Sequence, residues 1–140
     1  MGSGKGKSRS GRQASAKLPM ISSREDLDRA LKEASTIAAE TNKKGHMILL
    51  KFTADWCSVC QKIAPFCESL PSDPKLAALD KIVLVYKVDV DESPDLTNFY
   101  GASSLPLFVF LVDGKKMDML VGAQQTALRK KIVKHASSKK

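Results

Sequence analysis

The chain has 140 residues, 43% of them hydrophobic, an ordinary globular composition and enough length for one domain with its own core. No apolar run approaches the roughly 18 residues of a membrane span. Three cysteines are too few and too odd in number for a secreted disulfide scaffold. The net charge of +8 resides in the two ends: residues 1–23 hold five Lys or Arg and residues 129–140 hold six, with no acid in either. Between them, residues 24–128 carry 12 basic against 15 acidic residues, so the body is mildly acidic. A fold built for nucleic acid would show its positive charge in the body, so nucleic-acid binding is not expected and the ends read as solvated tails.

Residues 1–17, rich in Gly, Ser, Lys and Arg, hold no large apolar residue beyond Met1 and read as a disordered basic tail. They lack the apolar core of a secretory signal, which favours a cytoplasmic setting, with organellar targeting through the basic tail as the alternative. A single domain is expected over residues 18–136, followed by a short basic tail over 137–140.

Leu18-Pro19-Met20-Ile21 reads as a short edge strand, where a proline is tolerated. Ser23 and Asp26 resemble a capping box opening a helix from about Arg24 to Glu40, with Leu27, Leu31, Ala34 and Ala38 on its inner face. His46 to Ala54 is nearly continuous in apolar character, the mark of a strand buried on both faces. A helix follows from Cys57 to about Leu70, with Pro65 inside it. Lys75 to Leu79 forms a short helical turn, and Ile82 to Val90 a second buried strand. A short helix ends near Tyr100-Gly101. Leu107 to Val112 and Lys116 to Val121 pair as a hairpin through Asp113-Gly114, and a last helix runs from Gln124 to His135, with Leu128, Ile132 and Val133 inward.

The chemistry concentrates at Trp56-Cys57-Ser58-Val59-Cys60. A Cys-x-x-Cys pair serves either redox exchange or half a zinc site. Zinc needs four ligands, and Cys67, His46 and His135 form no second close pair. The redox reading is therefore preferred, with no metal. Cys57 sits where strand gives way to helix, and the unpaired N–H groups there stabilise an anion. Cys57 is then the attacking thiol and Cys60, one turn deeper, the resolving thiol. Trp56 would shield the pair and offer partners an apolar surface.

Ala54-Asp55-Trp56-Cys57-Ser58-Val59-Cys60, followed in order by Pro65, Asp91, Ser104-Leu105-Pro106 and Gly122, resembles the thioredoxin family over about Lys17 to His135. The resemblance implies a thioredoxin fold, a five-stranded mixed sheet sandwiched between four helices. It implies a thiol–disulfide oxidoreductase that reduces protein disulfides without a bound cofactor, re-reduced by a thioredoxin reductase or a small dithiol. An adaptor of the same fold with little turnover is the alternative. By the same resemblance Pro106 is cis and lies against the cysteine pair. Leu105 then offers backbone to a substrate strand, and Gly122 lets a partner approach.

Two departures stand out. Ser58-Val59 replaces the common Gly-Pro between the thiols, which bears on redox poise. Lys51 stands where typical thioredoxins hold a buried aspartate, and Lys87 matches the lysine that normally pairs with it. Lys51 either snorkels to solvent or stays desolvated near Cys60, where a charged amine would stabilise a thiolate and a neutral one could take its proton. Cys67 shares a helical face with Cys60 and reads as a buried structural thiol. His46 and His135 read as surface residues, and Asp55 as a solvent-facing neighbour of the site.

Overall fold

The computed structural model of the protein describes residues 17–137. Five α-helices and four strands follow in the order α1 (Arg24–Glu40), β1 (His46–Thr53), α2 (Ser58–Ser69), α3 (Pro74–Ala77), β2 (Ile82–Asp89), α4 (Pro94–Tyr100), β3 (Leu107–Val112), β4 (Lys115–Val121) and α5 (Gln125–Ala136), with a 3-10 turn at Leu70–Ser72. The strands form one mixed sheet in the order β2-β1-β3-β4. The β1–β2 pair is parallel, as a helical crossover requires, and the β3–β4 hairpin is antiparallel. Both residues of its turn, Asp113 and Gly114, have positive φ, the conformation that favours Asp-Gly there.

The fold class holds, with two corrections. The expected fifth strand over Leu18–Ile21 is reduced to one bridge, Met20 opposite Lys87. Pro19 has no N–H to give a ladder; its carbonyl accepts from Lys87 N–H, and Ile21 N–H donates to the Lys87 carbonyl. The helices number five rather than four, because Pro74–Ala77 closes a full turn, capped by the Asp73 carboxylate on Lys75 N–H at 2.8 Å. With so little covering it, β2 is an edge strand and mostly half-buried, not the fully buried strand its apolar run suggested. The tail calls over 1–17 and 137–140 fall almost wholly outside the described residues.

Strand periodicity divides the core into two layers. On one face Met47 and Leu49 of β1 join Phe108 and Phe110 of β3 and pack on Ile63 and Cys67 of α2 and Leu128 and Ile132 of α5. On the other, Ile48, Leu50 and Phe52 pack with Val109 and Leu111 on Leu27, Ala30 and Ala34 of α1. Each such side chain, fully buried, contributes about 1.5–3 kcal/mol, so β1, sandwiched on both faces, is the most strongly held element. Lys51 falls on the Met47–Leu49 face, beneath α2. Val133, expected inward, is 38% exposed on α5.

Two histidines expected at the surface are not there. His46 is buried, its Nε2 3.1 Å from Ser35 Oγ on α1. His135 lies against the Phe110 ring, with Nε2 2.9 Å from the Asp118 carboxylate, which also accepts from Lys131. In each case a partner distant in sequence supplies a polar contact for Nε2, while the buried His46 Nδ1 finds none among the described residues.

Candidate active site

β1 delivers the chain to the start of α2, and Cys57 is the N-cap of that helix. Its Sγ accepts from the backbone N–H of Cys60 at 3.2 Å, the role an oxygen usually fills at this position. The helix N-terminus and this N–H both favour negative charge on sulfur. Cys57 and Cys60 are joined as a disulfide, with Cα atoms 5.3 Å apart. Cys60 is wholly buried, while Cys57 is 9% exposed, so Cys57 lies nearer the surface of the two.

The surroundings are apolar and partly open. Trp56 is 69% exposed, yet its Nε1 donates to Asp91 Oδ2 at 2.9 Å, which ties the ring to the loop after β2. Ser58 and Val59 are exposed on the first turn of α2. Leu105 is half-buried and packs with Val90 against Ala54, Cys57 and Cys60. The Leu105–Pro106 peptide is cis, as the resemblance implied. Gly122 donates its N–H to the Pro106 carbonyl at 2.8 Å and has φ +100°, a conformation that itself calls for glycine. The structure thus brings Trp56, Cys57, Ser58, Val59, Cys60, Leu105 and Pro106 to one end of the sheet, with Gly122 hydrogen-bonded to Pro106 at its margin.

Lys51 does not snorkel. It is 4% exposed, and its Nζ donates to the carbonyl of Cys60 at 3.3 Å. Burial pushes its amine below the ordinary lysine range; negative charge at Cys67 or Glu68 opposes this, and the neighbouring Lys87, its register partner on β2, adds to it. Cys67 is wholly buried in the core beneath α2, and burial pushes its thiol up to about 11, against the pull of Lys51. Asp55 is exposed. Among the described residues no group of three or more His, Cys, Asp or Glu is placed to hold a metal ion, and no helix is long and apolar enough to cross a membrane.

Sequence reasoning noted Asp91 without a role; its bond to Trp56 spans 35 residues and left no local signal. It also passed over Gln61, which donates to the carbonyl of Ala54 at 3.2 Å, and Glu68. The signal was available in the spacing: Gln61, Ala64 and Glu68 recur at intervals of three and four, one stripe of α2.

A cysteine pair capping a helix at the end of the central strand, with a cis-proline loop against it, defines a protein of the thiol–disulfide exchange class. The sequence model of the family described as Thioredoxin matches residues 30–134, and the chain belongs to that family. It is 40% identical over 98 residues to "Thioredoxin H4" of Arabidopsis thaliana, covering 70% of this chain and 76% of that protein. It is 36% identical over 118 residues to "TPR repeat-containing thioredoxin TDX" of Oryza sativa subsp. japonica, covering 84% of this chain but only 33% of that longer protein. Among solved structures, the thioredoxin of Fasciola hepatica superposes with a TM-score of 0.69 at 33% identity, covering 84% of this chain and 99% of the other.

Proposed function

We propose that this chain reduces protein disulfides through a dithiol–disulfide cycle of Cys57 and Cys60. The observation that carries the proposal is the Cys57 sulfur at the α2 N-terminus, held 3.2 Å from Cys60 N–H and bonded to a wholly buried Cys60. In the reduced protein the Cys57 thiolate attacks one sulfur of a substrate disulfide. The substrate S–S bond breaks, its other sulfur leaves as a thiolate and takes a proton from solvent, and a mixed disulfide forms. Cys60 then loses its proton and attacks Cys57 Sγ. The mixed disulfide breaks, the second substrate sulfur leaves as a thiol, and the Cys57–Cys60 disulfide forms. Two electrons and two protons pass to the substrate. Sulfur carries both electrons, so the cycle needs no bound cofactor.

In this reading Trp56, Ser58, Val59, Leu105, Pro106 and Gly122 form the substrate surface. An extended substrate segment pairs with the backbone of Leu105 beside the sulfurs. Lys51 serves the second step, since its amine is buried against the Cys60 end of α2. A thioredoxin reductase or a small dithiol restores the dithiol, and the cytoplasm, where thiols are kept reduced, is the compartment that suits it.

The test is single-turnover reduction of insulin and a redox titration. Cys57→Ser abolishes reduction, and Cys60→Ser accumulates mixed disulfides. A Cys57→Ser protein that still reduces insulin at the wild-type rate overturns the assignment. A reduction potential near about −270 mV marks a reductant, and one near about −120 mV an oxidant.

A further inference from the structure

A buried amine must find an opposite charge or give up its proton. The Cys60 carbonyl offers Lys51 a hydrogen bond but no charge, and Lys87 beside it brings a like charge. A cavity of about 100 Å³ opens between β1, β2 and α2 at this point, and its charged lining is Lys51, Asp55, Glu68, Lys87 and Asp89. These groups, with Cys67 of α2, are the titratable side chains that face the amine. A water occupies about 30 Å³ of liquid, so the cavity has room for a short bridging cluster.

The acids are not equivalent. Asp89 already accepts the N–H of Asp91 at 2.8 Å, and Asp55 is exposed. Cys67 is held protonated by burial, so at neutral pH it brings no charge. Glu68 is half-buried, one helical turn beyond Ala64 on the same stripe of α2, and Glu68 and the small Ala64 line the cavity together with Lys51.

We propose that Glu68 is the counter-charge of Lys51 across this cavity, and that it sets the pH range in which Lys51 serves Cys60. The inference rests on the assignment of Cys57 and Cys60 given above. Glu68 is a positioning residue, acting on the sulfurs only through the amine. The negative charge that keeps Lys51 protonated thus comes from α2, the helix that also carries both thiols.

Two readouts test this in the full chain. The first is the titration midpoint of Lys51, followed through its Cε resonance by NMR. Glu68→Gln lowers that midpoint by about half a pH unit or more, because it removes a favourable charge. Glu68→Asp restores it in large part, and Asp55→Asn on the cavity rim moves it less. The second is the pH profile of mixed-disulfide resolution by stopped flow. The limb that disappears in Lys51→Met moves with the midpoint in Glu68→Gln. A Lys51 midpoint unchanged in Glu68→Gln overturns the pairing. A midpoint that moves while the resolution profile stays put overturns the link to Cys60. Neither outcome touches the roles of the two thiols, which fail only if Cys57→Ser stays active.

Discussion

The amine of Lys51 donates to the backbone carbonyl of Cys60 at 3.3 Å, from a side chain 4% exposed. An amine is thereby buried against the backbone of the deeper cysteine of the pair. By the resemblance a carboxylate is usual at this position, so a basic group stands where an acid is expected while the place in the fold is kept.

Stability should reveal that burial. Lys51 has a folded pKa below its unfolded value of about 10.4. Below the folded pKa both states hold the proton and the folded state bears the full desolvation cost. As pH rises through the folded value toward about 10.4, the unfolded state binds more protons and stability rises. We expect the wild-type protein to gain stability relative to Lys51→Met across that window. Urea unfolding at pH 7 and pH 9.5 measures it, and a constant difference between the two proteins refutes it.

Asp118 should govern the acid side. Burial raises its pKa, but hydrogen bonds from Lys131 and His135 and from Met119 N–H outweigh this and hold the carboxyl far below the usual carboxylate range. Its contribution is fully present above the unfolded pKa of about 3.9 and is lost as pH falls through the folded value. Asp118→Asn should cost about 1–2 kcal/mol at pH 7, with a smaller difference at pH 2.5. Thermal melts at the two pH values check the sign.

Cys67→Ser should leave insulin reduction within about twofold and cost about 1–3 kcal/mol, since it puts a hydroxyl into an apolar layer. An activity loss of tenfold or more would show that the thiol takes part in the chemistry.

Trp56→Ala should raise the KM for protein disulfides about tenfold, an effect of about 1.4 kcal/mol of binding. The ring is 69% exposed, so the melting temperature should hardly change. Steady-state kinetics on a folded protein substrate and on a small disulfide separate the two effects: only the protein substrate should suffer.

Much of this was legible in the chain itself. The apolar run expected over His46 to Ala54, the cysteines at the following turn and the Asp-Gly hairpin are local patterns, and each appears within a residue of its expected bounds. Local patterns survive because strand alternation, helix capping and turn conformation depend on neighbouring residues only. The misreading of Leu18–Ile21 has a tertiary cause: its β composition is real, but the segment meets the β2 edge at a single bridge, Met20 opposite Lys87, next to a proline with no N–H to give.

The fate of the charged and polar side chains was a tertiary matter. Lys51 could snorkel or be buried, and only the packing of α2 over β1 decided that it is buried. His46 and His135 had no partner in sequence because Ser35 and Asp118 lie 11 and 17 residues away. A local sequence carries apolar periodicity, and so it can say which face of an element turns inward. The partner of a buried polar group depends on which elements meet, and that is set only when the layers close.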